Sequence, residues 1–72
     1  MTKEDFSFEI DLGITKYKVS GTFLVTDETP EDFTPTSIIE VESGNSLDIK
    51  TLDPQWLEII KEEAFEEWEN QL

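Results

Sequence analysis

A strict alternation of apolar and polar residues near the start of the chain restricts the fold more than any other sequence feature. Residues 6–12, FSFEIDL, repeat with a period of two, which predicts a strand with one buried face. The alternation resumes after Gly13 in residues 17–25, YKVSGTFLV. Gly21 falls on the apolar side of this second strand, which indicates either a large neighbour lying over it or a bulge. The two segments together predict a β-hairpin.

The next segment, residues 27–35, interrupts the strand pattern with the sequence DETPEDFTP. Because proline cannot donate to a strand ladder, we expect a surface loop here, with Phe33 turned back onto the core. Residues 36–43, TSIIEVES, predict a third strand whose core-facing apolar residues are Ile39 and Val41. Gly44-Asn45 predicts a turn, after which Leu47 and Ile49 form a brief fourth strand or close the edge of the sheet.

Asp53-Pro54 predicts the start of a C-terminal helix. An aspartate at the N-cap accepts a hydrogen bond from a free amide, and proline at the first helical position has no helical bond to lose. From Pro54 the apolar residues recur with helical spacing to near the end of the chain, and Phe65 lies at the border of the apolar face. The residues predicted to share that face are Trp56, Leu57, Ile60, Ala64, Trp68 and Leu72.

These elements predict a single α+β domain over residues 1–72. Its sheet has three to four antiparallel strands, made of the N-terminal hairpin plus the later strand, and one C-terminal helix covers it. A chain of 72 residues buries only about 60% of its unfolded surface, so we expect a small core.

The layout resembles that of short acidic, largely uncharacterised proteins encoded by tailed bacteriophages. The resemblance is carried by the hairpin FSFEIDLGITKYKVSGTFLV, the segment DETPEDFTP, the strand SIIEVES and the helix DPQWLEIIKEEAFEEWENQL. It implies expression in the cytoplasm of a bacterial host and interference with a host protein.

The charge of the chain limits its partners. Eighteen acids and five bases, all lysines, give a formal net charge of −13. Direct binding to nucleic acid or to an anionic membrane is disfavoured, since both depend on basic residues. No apolar run approaches the roughly 20 residues of a membrane span, and the start of the chain lacks a signal peptide. We therefore expect a cytoplasmic protein whose partners carry a basic surface.

The residue types also argue against an enzyme. Histidine and cysteine, the commonest general base and the strongest nucleophile, are absent. The glycines are isolated, so there is no phosphate-binding loop and we predict no cofactor. The acids of residues 27–32 lack the spacing and the central glycine of a calcium loop, so we predict a solvated surface and no metal site there.

The distribution of acids suggests where a partner binds. Residues 1–26 carry four acids and three lysines, whereas residues 27–72 carry fourteen acids and two lysines. On the helix, carboxylates recur about every 3 Å along roughly 16 Å of axis, which is close to the spacing of phosphates along a DNA strand. We therefore predict a nucleic-acid mimic that inhibits or modulates a host protein, with Ile59 as an apolar anchor. The candidate partner-binding residues are Glu58, Ile59, Glu62, Glu63, Glu66, Glu67 and Glu69 on the helix, with Asp27, Glu28, Glu31 and Asp32 as a second patch.

An alternative function is a small oligomeric or accessory structural module of a phage, with the sheet as its interface. Leu24 and Ile38 each face away from the main apolar set of their predicted strands. If both are exposed, they form the apolar part of such an interface. For the chain as a whole we predict a monomer or a weak homo-oligomer.

Overall fold

A computed structural model describes residues 2–71 of the chain. One antiparallel sheet with strand order β1-β2-β3-β4 is covered on one face by a C-terminal helix, which confirms the predicted α+β fold. The elements are β1 (Thr2–Leu12), β2 (Thr15–Thr26), β3 (Thr29–Glu40), β4 (Ser46–Leu47), a 3-10 turn (Ile49–Thr51) and α1 (Pro54–Asn70).

The N-terminal hairpin is confirmed, and both of its strands extend beyond the predicted limits. Its register pairs Leu12 with Thr15 and Phe8 with Val19, without a bulge. Only two residues form the turn, and the first of them, Gly13, has φ +72°. Glycine adopts this conformation without the steric penalty of a Cβ atom, so the turn suits a tight two-residue hairpin.

The predicted loop over residues 27–35 is wrong. Asp27 and Glu28 alone form the turn after β2, and the remaining residues are the first half of β3, which pairs with β2. The prolines are tolerated because β4 pairs only with Ile38 and Ile39, so the first half of β3 is a sheet edge. The predicted strand over residues 36–43 is also too long, since β3 ends at Glu40 and a turn follows.

Two extra residues in β3 change which side chains face the core. The pairing with β2 shifts between Ser20 and Gly21, where Thr36 has no partner, and again between Leu24 and Val25, where Glu31 has none. Because a single extra residue reverses the alternation, Ile38 lies opposite Val19 on the core side and is only 1% exposed. The prediction that Ile38 faces away from the core and Ile39 towards it is wrong.

The core is centred on Phe23 in the middle strand. Its ring centroid lies 4.8 Å from those of Phe33 and Trp68 and 5.2 Å from that of Phe6. Phe33 is fully buried, as the sequence predicted. Its Cζ atom lies 2.5 Å from the position that a Cβ atom on Gly21 would take, so both readings of that glycine are confirmed: a large neighbour and an adjacent bulge.

The helix begins where the sequence predicts. Asp53 Oδ1 accepts a hydrogen bond from the Gln55 amide at 2.9 Å, and Pro54 is the first helical residue. Ile60 and Ala64 are buried against the sheet, and Phe65 and Trp68 pack against the same core. Leu57 is half-buried, and Leu72 lies outside the described residues.

Two apolar residues, Val41 and Trp56, differ from their predicted placement. Val41 was predicted to face the core, but it is 45% exposed in the turn after β3. Trp56, in the first turn of α1, is 39% exposed and therefore only partly covered by the sheet. Of the two predicted placements for Leu47 and Ile49, Leu47 belongs to the brief fourth strand, and Ile49 lies in the 3-10 turn and packs against the core without joining the strand.

Candidate acidic interaction surface

The outer face of α1 carries a continuous set of exposed acids. We use "outer face" for Glu58, Ile59, Glu62, Glu66 and Glu69, all of which are exposed. They lie on the side of the helix opposite Ile60 and Ala64, which are buried against the sheet. Ile59 is 46% exposed among these carboxylates. The structure therefore places these five predicted residues together on one solvent-facing surface.

Glu63 and Glu67 occupy a flank of α1 instead of its outer face, and both are half-buried. Partial burial raises the pKa of Glu63, and the nearby charges of Glu66 and Glu67 raise it further. A hydrogen bond that protonated Glu63 donates to the Glu66 carboxylate acts in the same direction. The carboxylates on this part of the helix are therefore close enough to oppose one another's ionisation.

Lys61, the one base of α1, faces the sheet edge. Its Nζ atom lies 3.5 Å from Asp32 Oδ1 in β3. Both side chains are about half exposed, so this ion pair contributes at most about 1 kcal/mol to stability. The pair nevertheless leaves the outer face of α1 without a basic neighbour from the helix itself.

The second predicted patch is divided among three local structures. Asp27 and Glu28 form the exposed β2–β3 turn, Glu31 lies at a bulge, and Asp32 contacts Lys61. The turn follows the end of the sheet where Phe23 packs against the C-terminal half of α1. The structure thus brings Asp32 against the helix flank and leaves the acids of the turn at the same end of the molecule as the last turn of α1.

The opposite face of the sheet has a different charge pattern. The register places Lys18 directly across from Glu9 and Lys16 across from Asp11. Opposite charges at facing positions of an antiparallel pair attract one another by a few tenths of a kcal/mol. Two acids on this open face of the sheet, Glu9 and Asp11, are therefore matched by lysines, whereas those on the outer face of α1 are not.

The acids of α1 also oppose its dipole. A helix favours acids in its first turn and bases in its last turn. The first turn of α1 has no acidic residue, and the last turn has no basic residue. Glu66, Glu67 and Glu69 lie instead near the C-terminal end, where a negative charge is unfavourable. Helix stability therefore does not account for this arrangement.

An apolar pocket of about 220 Å³ opens beside the start of α1, and the sequence reasoning missed it. Trp56 and Leu52 form one side, and Leu12, Tyr17 and Leu47 come from the sheet. The nearby hairpin turn carries Ile14, which is fully exposed. No sequence signal predicted the pocket, because its lining residues come from elements that are far apart in the chain.

Other kinds of site receive little support from the described part of the chain. No group of three or more acidic side chains within residues 2–71 is arranged to hold a metal ion. No helix in the same range has the length and apolar character needed to cross a membrane. Comparison with known proteins found no match among family models, curated proteins or solved structures. The resemblance to phage-encoded acidic proteins stays a prediction.

Proposed function

We propose that this protein is a non-enzymatic interaction protein whose acidic helix binds a basic surface on another protein. In view of the phage resemblance, the partner is a protein of a bacterial host, and binding inhibits or modulates it by occupying a surface that otherwise contacts nucleic acid. The observation that carries the proposal is the contrast between the two faces. On the open sheet face Glu9 and Asp11 lie directly across from Lys18 and Lys16, whereas the outer face of α1 has no matching base.

The composition of the outer face fits this role. Its four glutamates attract a basic partner over several ångströms and speed the encounter, while salt weakens that attraction. Ile59 lies among them and adds an apolar contact that salt does not screen. Recognition therefore combines charge, which guides approach, with one side chain that is buried on contact.

The first experiment changes the charge of the outer face alone. Replacing Glu58, Glu62, Glu66 and Glu69 with Gln removes four charges and keeps the size and helix propensity of the side chains. The matched control replaces Glu4, Glu9, Glu40 and Glu42 with Gln, which removes the same charge from the sheet and the β3–β4 turn. The parent and both variants are used to capture proteins from a bacterial lysate at low salt and at about 0.5 M salt.

We expect the parent and the control to capture a basic protein at low salt and to release it as salt rises. The helix variant should bind that protein at least about tenfold more weakly, since each lost charge contact contributes a few tenths of a kcal/mol or more. Double-stranded DNA should displace the captured protein if the acids occupy its nucleic-acid site. Equal binding by the helix variant and the parent across the salt range would refute the proposal.

The alternative function is an oligomeric or accessory structural module that uses the sheet as its interface. Fewer apolar residues are available for that interface than the sequence predicted. Ile38 is buried in the core, so it is not available for an interface. Leu24 and Ile39 remain, and each is half-buried on the open face of the sheet. If this alternative holds, sedimentation at about 0.5 M salt should show self-association that Leu24→Asp or Ile39→Asp abolishes. A monomer under those conditions would rule it out.

A further inference from the structure

The outer edge of β1 is a second surface that is free to pair. Within the described residues, β1 pairs only with β2, over all of its 11 residues and without a bulge. The opposite edge is less regular, because β3 contains Pro30, Pro35 and two register shifts, and β4 covers part of it. An uncovered strand edge presents a row of backbone donors and acceptors to any extended segment that can match it.

The hairpin turn determines which residues present those backbone groups. A two-residue turn is closed by a hydrogen-bonded pair, here Leu12 with Thr15, and such pairs alternate along an antiparallel ladder. Even-numbered residues of β1 therefore direct their backbone N–H and C=O groups to β2. The residues that direct these groups to the free edge are Lys3, Asp5, Ser7, Glu9 and Asp11, all of which are exposed.

The charges along this edge indicate a basic partner. The side chains of Asp5, Glu9 and Asp11 all lie on the open face of the sheet, because the register pairs them with Thr22, Lys18 and Lys16. On the inner side, β2 meets the last two of these acids with lysines. A strand added on the outer side would gain the same contacts if it carried lysine or arginine at alternate positions.

The core side of β1 indicates that the binding segment also carries apolar residues. Phe6, Phe8 and Ile10 keep 8%, 7% and 6% of their surface exposed, whereas in the next strand Val19 and Phe23 are completely buried and Val25 keeps 6%. The remaining exposure is expected at an edge, where no further strand covers the side chains. Apolar residues alternating with the basic ones would cover it.

We propose that the free edge of β1 binds an extended segment of a partner protein in which basic and apolar residues alternate, adding a fifth strand to the sheet. Strand addition of this kind takes affinity from backbone hydrogen bonds and specificity from the alternating side chains. The proposal is independent of the proposed function, because it uses the backbone of β1 and not the outer face of α1.

A second copy of the chain fits this edge less well. Antiparallel pairing of two β1 strands about Ser7 places Asp5 of each copy opposite Glu9 of the other. These two repulsive pairs oppose the two attractive pairs between Lys3 and Asp11, and each chain also brings a net charge of −13. A basic segment meets no such repulsion.

The test uses a short synthetic peptide of alternating lysine and valine, N-methylated at every second residue so that only one of its edges can form hydrogen bonds. A peptide with glutamate in place of lysine is the control. Binding is followed by amide chemical shifts and hydrogen exchange of the intact protein. We expect the amides of Asp5, Ser7 and Glu9 to become protected from exchange by the lysine peptide and not by the glutamate peptide.

Two variants of the edge test the mode of binding. Ser7→Pro removes one outward N–H, a change that an edge strand tolerates, and should weaken binding roughly tenfold. Asp5→Lys reverses a charge that faces Thr22 and no lysine, so it should weaken binding about threefold to tenfold even if the proline variant fails to fold. The helix variant with four glutamines should retain the protection of the β1 amides.

Three results would overturn the proposal. The peptide could shift only the amides of α1, leaving the exchange of β1 unchanged. A folded Ser7→Pro variant and the Asp5→Lys variant could both bind the peptide as tightly as the parent. The outward amides of β1 could be protected without peptide, in proportion to protein concentration, in which case the occupant of the edge is a second copy of this chain.

Discussion

Glu28 occupies a turn position whose backbone conformation favours glycine, so replacing Glu28 with glycine should stabilise the protein. Asp27 and Glu28 have φ values of +50° and +67°, and they connect the paired residues Thr26 and Thr29. Two positive φ values in a two-residue hairpin are typical of a type I′ turn, which favours Asn-Gly or Asp-Gly. The Glu28→Gly change produces Asp-Gly with no other alteration.

Two opposing terms determine the size of the effect. A non-glycine residue held at positive φ is destabilised by roughly 1–2 kcal/mol. Glycine removes this strain, but it also has more conformational freedom in the unfolded chain, which lowers the free energy of unfolding by about 0.5–1 kcal/mol. The net gain in the free energy of unfolding should be about 0.5–1 kcal/mol. For a domain of this size, that corresponds to a rise in melting temperature of roughly 2–8 °C.

Thermal unfolding followed by circular dichroism measures this gain, and Glu28→Gln is the matched control. The glutamine variant removes the same charge and keeps the strained backbone, so it should gain less than about 0.5 kcal/mol. If Glu28→Gly is no more stable than Glu28→Gln, the backbone of the turn is not strained and the reasoning fails. Weaker partner binding by both variants would show in addition that the acid at this position serves recognition.

Two further predictions concern packing and charge. Gly21→Ala should lower the free energy of unfolding by roughly 2–4 kcal/mol or prevent folding, because the new Cβ atom would meet the backbone of Thr34 and Pro35 as well as the Phe33 ring. Urea unfolding measures this change, and a loss of less than about 1 kcal/mol would contradict the packing. Glu63→Gln should stabilise the protein at pH 7 by roughly 0.4–1 kcal/mol, since it removes repulsion from Glu66 and Glu67. Because the pKa of Glu63 is raised in the folded state, the contribution of its protonated form to the stability of the parent is fully present below about pH 4.5 and is lost as the pH rises. The stability advantage of the variant should therefore shrink on acidification. A difference in stability that does not change with pH would refute this prediction.

Local sequence signals predicted the hairpin and the helix because each is determined by residues close in the chain. The alternation before Gly13 and the Asp53-Pro54 start needed no tertiary information. The path of β3 did need it. Thr36 occupies a bulge, and alternation alone cannot show an extra residue that reverses the facing of Ile38. The prolines likewise indicated a loop because the absence of a neighbouring strand could not be read from the sequence.

The candidate site was predictable to a similar extent. Helical periodicity places Glu58, Glu62 and Glu66 opposite the core without reference to the sheet. The exact rotation of α1 depends on contacts with distant residues, so the half-buried position of Glu63 was not predicted. The Lys61–Asp32 pair was also missed, because it joins the helix to a strand that the sequence indicated as a loop.

The energetic cost of the acidic surface is large for a protein of this size. Three glutamate pairs on α1 have the repulsive i,i+4 spacing, and together they destabilise the fold by roughly 0.6–1.5 kcal/mol. A domain of 72 residues typically has a total stability of about 4–11 kcal/mol. Solubility alone does not require this cost, because a net charge of magnitude about 2–8 suffices for a small domain and the chain carries −13.

The open face of the sheet shows that the same chain can hold acids without this cost, since lysines stand opposite Glu9 and Asp11. A helix in which half of the glutamates were lysines would keep its propensity and gain attractive pairs. The excess acid on α1 is therefore better explained by attraction to something outside the fold than by the needs of the fold itself. A basic partner is the simplest explanation, because its attraction to the glutamates would offset their mutual repulsion. The helix variant with four glutamines tests this explanation, since we expect it to unfold at a higher temperature than the parent and to bind the partner more weakly.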